Sequence, residues 1–153
     1  METSLKLSDE YELWFLINQA RDVILQARER ELEKYGITTM QAAVLVAVKL
    51  IGRPATATEI GRFLFRAPHT VSKIVDRMIA AGLVTRNTIR RGQKLIELTE
   101  RGEEAFDYAM KTESINGIMS CMDCEAKDCL RKMLTHLRNY GLAYNSPLNI
   151  PFP

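Results

Sequence analysis

The side chains with the most distinctive chemistry lie near the C-terminal end. They are Cys121, Cys124 and Cys129 in CMDCEAKDC, with His136 seven residues further on. Three thiols and an imidazole could hold zinc or an iron–sulfur cluster, and an activated thiolate could respond to oxidants. The spacing C-x2-C-x4-C lacks the second paired motif that marks a zinc site. On a helix beginning near Met122, Cys124 and Cys129 point apart. Cysteine is also a common small apolar residue of protein interiors. Structural or incidental thiols therefore come first, a redox switch second and a metal site third. No metal or cofactor is assigned, and a disulfide framework does not suit a cytosolic chain.

A second set of side chains is polar and cationic. Between Pro68 and Ala80, the apolar residues Val71, Ile74, Val75, Met78 and Ile79 recur three and four apart. That spacing predicts a helix with one buried stripe. The other face carries His69, Thr70, Ser72, Lys73, Asp76 and Arg77, and Arg66 stands just ahead of the helix. Hydrogen-bonding side chains near the start of such a helix are what reading the major groove of DNA requires. Behind it, Leu83-Val84-Thr85 and Leu95–Leu98 read as short strands joined by a tip with Gly92 at the turn. Arg86, Arg90, Arg91 and Lys94 give this hairpin four cations, which can reach phosphates or the minor groove. His69 is assigned to a base or phosphate, with an exposed helix-start residue as the plain alternative.

The flanking elements fit these assignments. Thr56-Ala57-Thr58-Glu59 has the pattern of a capping box, and Ile60, Phe63 and Leu64 continue it as an apolar stripe. Pro68 suits the first turn of the second helix, and Gly82 suits its end. Thr99 can cap the helix that follows the hairpin.

The phrase TVSKIVDRMIAAGLVTR followed by a hairpin closing in LTERG resembles the winged helix-turn-helix of the MarR family of bacterial transcriptional regulators. The matching residues are Thr70, Val71, Val75, Asp76, Arg77, Met78, Gly82, Leu83, Val84, Arg86, Leu98, Thr99 and Gly102. The wing departs from the family's pattern: Ile89-Arg90-Arg91-Gly92-Gln93-Lys94 contains no Asp and is short. The resemblance implies a homodimer that presents two reading helices to successive major grooves of double-stranded DNA. It also implies a small-molecule effector pocket between the dimer helices and the winged lobe. Trp14, Phe15, Gln41 and Met110 could line such a pocket, or be core. Arg21 could hold a ligand carboxylate, or pair with an acid of the partner chain.

Composition is that of an ordinary globular chain of 153 residues, 46% apolar and 26% charged. No apolar run reaches the roughly 18 residues of a membrane span. The start METSLKLSDEYE lacks a secretory pattern, so a cytoplasmic location and no membrane partner are expected. Residues 53–101 hold ten basic and four acidic side chains, a net of +6, against −4 for the remainder. A basic lobe on an acidic body suits a nucleic-acid partner. No phosphate loop, nucleophile elbow or HExxH is present, so no enzyme is expected.

The expected fold is mainly α with a small β-hairpin wing. Residues 1–153 form one domain, with a winged lobe over 37–102. Dimerisation helices and a tail occupy 8–35 and 103–153. A first helix starts at Ser8-Asp9-Glu10. It is apolar over much of its girth (Leu13, Trp14, Phe15, Leu16, Ile17, Ala20, Val23, Ile24), which calls for a partner chain. Its second half, ARERELEK, reads as solvated. The apolar helix MQAAVLVAVKLI follows, capped by Thr38-Thr39, and Arg53-Pro54-Ala55 supplies an edge beside the hairpin. One helix is expected from Thr99 to about Ile118, with Gly117 its weak point. The last helix is expected from Met122 to Tyr140, with Gly141 just past it. The tail NSPLNIPFP is expected to pack on the body or on a partner. The function expected is that of a dimeric repressor with a pseudo-palindromic operator, released by a ligand or an oxidant. The rival readings are a winged-helix module for protein–protein assembly and a thiol-based redox or metal sensor.

Overall fold

The computed structural model of the protein describes residues 7–88 and 92–145. Among these residues, seven helices and one hairpin follow in the order α1 Asp9–Glu33, α2 Thr39–Ile51, α3 Ala57–Leu64, α4 Pro68–Ala80, β1 Val84–Thr88, β2 Lys94–Leu98, α5 Glu100–Lys111, α6 Glu113–Met119 and α7 Cys124–Tyr144. Local sequence explains most of the boundaries. The Ser8 hydroxyl accepts from the Tyr11 N–H at 3.3 Å, and Asp9, Glu10 and Glu12 favour the positive end of α1. Thr38 and Gln41 form a reciprocal capping box on α2, and Thr56 and Glu59 form another on α3. The N–H of Thr56 donating to the Glu59 carboxylate is the main cause of that group's lowered pKa. α2 ends at Gly52, whose φ of 72° favours glycine.

α2 is the centre of the core and packs on α1, α3, α4, α5 and β2. Its Val44, Leu45 and Ala47 are fully buried together with Leu32, Ile60, Val71, Val75 and Met78. The hairpin pairs antiparallel with Val84 opposite Leu98 and Thr88 opposite Lys94. Ala55 adds a bridge to Ile96, with N···O distances of 3.0 and 2.8 Å. Pro54 lies beside this bridge, at an edge where its missing N–H is harmless. At the base of the wing the Thr99 hydroxyl donates to the Gly82 carbonyl at 2.6 Å and accepts from the Gly102 N–H at 3.0 Å. A Cβ on Gly102 would lie 2.0 Å from the Leu83 carbonyl oxygen, so only glycine fits there.

Several expectations are corrected. β1 runs to Thr88 rather than ending at Thr85. The helix expected from Thr99 to Ile118 is two helices, broken at Thr112 with φ 49°, while Gly117 stays inside α6. The last helix starts at Cys124 because the Asp123 carboxylate caps it, accepting from the Ala126 N–H at 2.8 Å. It runs through Gly141 to Tyr144; one glycine costs only about 1 kcal/mol in a helix. The segment ARERELEK is not simply solvated, since Glu31 and Leu32 are buried. The three cysteines are exposed rather than interior. The tail from residue 146 onward lies outside the described residues.

The break at Thr112 has a tertiary cause. α6 has no side-chain cap of its own. The Glu31 carboxylate of α1 supplies one, accepting from the N–H of Glu113 at 2.9 Å and of Ser114 at 3.2 Å, and from the Ser114 hydroxyl. Arg28 pairs with Glu31 at 2.8 Å and donates to the Ala109 carbonyl. Burial by itself raises the Glu31 pKa. The bonds from the Ser114 hydroxyl, Arg28 and the two N–H groups outweigh it and lower the pKa to about 2.

Candidate nucleic-acid interface

α4 is held by Val71, Val75 and Met78, all fully buried. Residues offset from that stripe must point outward. His69, Lys73, Asp76 and Arg77 are exposed, while Thr70 and Ser72 are half-buried at the sides of the helix. Arg66 is exposed one residue before the Ala67 cap position. Ala67 offers no side-chain cap, so the positive end of α4 is open to an anion beside Arg66. The structure thus places His69, Lys73 and Arg77 on one outward face of α4, with Arg66 exposed just ahead of the helix.

The wing is tied to this helix. The Arg86 guanidinium donates to the Asp76 carboxylate at 2.6 Å and to the Ser72 carbonyl at 3.4 Å. Arg86, counted among the wing cations, therefore links β1 to α4. Lys94 is exposed at the start of β2. Arg90 and Arg91 lie outside the described residues. A polar hollow of about 560 Å³ separates the wing from α3, lined by Thr56, Thr58, Glu59, Arg62, Gln93 and Lys94.

The expected effector residues are dispersed. Trp14 and Phe15 are exposed near the start of α1, and Met110 is exposed on α5. The Arg21 guanidinium pairs with Asp22 at 2.8 Å, and the Gln41 carboxamide closes the α2 capping box at 2.9 Å. None of these five lines the apolar cavity of about 460 Å³ at the α3–α4 turn, whose walls include Gly61, Arg62, Phe65, Arg66, Pro68 and Leu142. Among the described residues, no group of three or more His, Cys, Asp or Glu is placed to hold a metal ion. No helix among them is long and apolar enough to cross a membrane.

Sequence reasoning missed the Arg86–Asp76 tie, although both residues stood in the quoted motif. It also missed Arg28 and Glu31, for which no local signal exists.

Comparison with known proteins places this geometry. Residues 35–94 match the family model of the MarR family. The uncharacterized HTH-type transcriptional regulator YwoH of Bacillus subtilis (strain 168) is 32% identical over 95 residues, covering 60% of this chain and 66% of that protein. The match thus spans slightly less than two-thirds of that curated relative. Among solved structures, the organohalide-sensing RdhR transcriptional regulator in its 2,4-dichlorophenol-bound form superposes with a TM-score of 0.90 at 27% identity, covering 100% of this chain and 93% of that one. Its ligand-free form gives a TM-score of 0.82 at 28% identity, covering 100% and 99%. The Staphylococcus aureus MepR–DNA complex shares the fold, with a TM-score of 0.75 at 21% identity over 87% of this chain and 99% of that one.

Proposed function

We propose that this chain, whose residues 35–94 match the MarR family, is a homodimeric, sequence-specific transcriptional repressor of that family, released from a pseudo-palindromic operator by a small ligand. The observation that carries the reading is the outward face of α4. His69, Lys73 and Arg77 stand opposite a fully buried stripe, with Arg66 at the helix start. Thr70 and Ser72 flank the bases, and Lys94, Arg90 and Arg91 take the backbone or minor groove from the wing.

The dimer is supported by apolar surface. Leu13, Trp14, Phe15, Leu16, Ile17 and Val23 of α1 are exposed, as are Met133, Leu134, Leu137 and Tyr140 of α7. α7 has no buried residue at all. An apolar surface of this extent marks an interaction site, and a two-fold pair places two α4 helices about one DNA turn apart. An aromatic effector is supported by the 2,4-dichlorophenol named for the RdhR structure.

Selection of bound sequences from a random duplex pool at fixed moderate salt tests the reading. A recovered pseudo-palindrome is the expected result. No motif, with binding that vanishes as salt rises, would instead favour a protein–protein assembly module.

A further inference from the structure

The apolar hollow at the α3–α4 turn has the end of α7 as one of its walls. It measures about 460 Å³, and Gly61, Phe65, Ala67, Pro68 and Leu142 are among its lining residues. Its floor is stiff: the Gly61 carbonyl accepts from the Arg66 N–H at 2.8 Å, and a Cβ on Gly61 would lie 2.5 Å from the Arg66 carbonyl oxygen. Of residues 131–145, only Gly141 and Leu142 are half-buried, and the rest are exposed. This half of α7 therefore meets the body beside the hollow. The helix closes at Asn145, whose backbone N–H and side-chain amide both donate to the Gly141 carbonyl, at 3.0 and 2.8 Å. The chain thus leaves α7 within one turn of Leu142.

The segment that follows reads Ser146-Pro147-Leu148-Asn149-Ile150-Pro151-Phe152-Pro153. Its prolines do not suit a helix, and it has no charged side chain. Leu148, Ile150 and Phe152 alternate, so they share one face of an extended chain. Segments that stay in solvent are poor in such residues. The prolines also lower the entropy lost when the segment is fixed in place. From Asn145, a fully extended chain reaches at most about 25 Å by Phe152.

We propose that residues 146–153 dock in this hollow on their own chain, with Leu148, Ile150 and Phe152 against Phe65, Pro68 and Leu142. Two features single out this occupant. The segment begins at the wall of the hollow, so it is present there at an effective concentration of about a millimolar, which a separate molecule would have to match. Its uncharged apolar face also suits apolar walls. Docked there, the segment joins the end of α7 to the start of α4. The inference does not rest on the DNA-binding reading.

Amide hydrogen exchange on the full chain tests the docking. The variant Leu148→Ser/Ile150→Ser/Phe152→Ser keeps the chain length and removes the apolar face. The Phe65 and Arg66 amides donate to the Arg62 and Gly61 carbonyls at 3.3 and 2.8 Å. They are expected to exchange at least about tenfold faster in the variant than in wild type, while those of Ala47 and Val48 in the α2 core stay unchanged. A peptide of sequence SPLNIPFP in excess is expected to restore protection in the variant and to leave wild type unaltered. Equal exchange at the turn in the two proteins would overturn the proposal. Loss of protection confined to α1 would also overturn it and place the segment elsewhere. Cross-linking separates the chain's own hollow from that of a second copy. Ala67 is exposed at the cap position of α4. With Cys121→Ser, Cys124→Ser and Cys129→Ser in place, Ala67→Cys and Ile150→Cys are expected to form an intrachain disulfide on oxidation with diamide. An interchain link would overturn docking on the same chain, and the absence of any link would overturn docking in the hollow.

Discussion

Glu31 joins two helices through one carboxylate. Its pKa is lowered to about 2 from an ordinary 4.5, so the folded state binds its proton less readily than the unfolded chain. Its contribution to stability is complete above pH 4.5 and is lost as pH falls towards 2. Glu31→Gln should cost about 1.5–3 kcal/mol at neutral pH and flatten the acid limb of the stability profile; urea denaturation across that pH range measures both. An unaltered limb would give the acid sensitivity to other carboxylates. On α4, Lys73→Ala should lower the salt dependence of operator binding by about one unit of log–log slope if Lys73 meets a phosphate. Binding titrations at several salt concentrations read this directly, and an unchanged slope removes Lys73 from the backbone contacts. Lys73 could be picked from the sequence because its helix has a strong apolar period. Glu31 could not, because its partners Glu113 and Ser114 lie 82 and 83 residues away.

The helices and the wing were largely legible where the chain carries its own punctuation. Thr38, Thr56, Pro68 and Thr99 each start a helix as their local chemistry requires. The end of α5 was not legible, because Thr112 is neither Gly nor Pro and its left-handed turn is fixed by a cap borrowed from α1. The wing base is set by Gly102. Gly102→Ala would press a methyl group into the Leu83 carbonyl and should cost roughly 2–3 kcal/mol, read as a lower urea midpoint. The tie between wing and reading helix makes a different prediction. The Asp76 carboxylate is 60% exposed, so its ion pair adds at most about 1 kcal/mol to stability. Asp76→Asn and Arg86→Met should therefore melt near the wild type but bind operator more weakly. Equal losses in the two variants would mean that Arg86 acts by aiming the wing. A much larger loss for Arg86→Met would mean that it touches DNA itself.

Across the molecule, the exposed apolar residues of α1 and α7 are the largest departure from what a lone chain needs. Leu137→Glu, on the α7 face, should convert the protein to a monomer in sedimentation and abolish preference for a two-half-site operator. A variant that remained dimeric would remove this face from the interface. α1 presents that apolar surface over its first half and holds α6 by Glu31 in its last turns. The start of α6 is thus a tertiary feature rather than a local one. The backbone amide protons of Glu113 and Ser114 are bonded to α1 and not to their own helix. Their exchange with deuterated solvent therefore times the parting of α1 from α6, and leaves the fraying of α6 itself to be read at the amides further along.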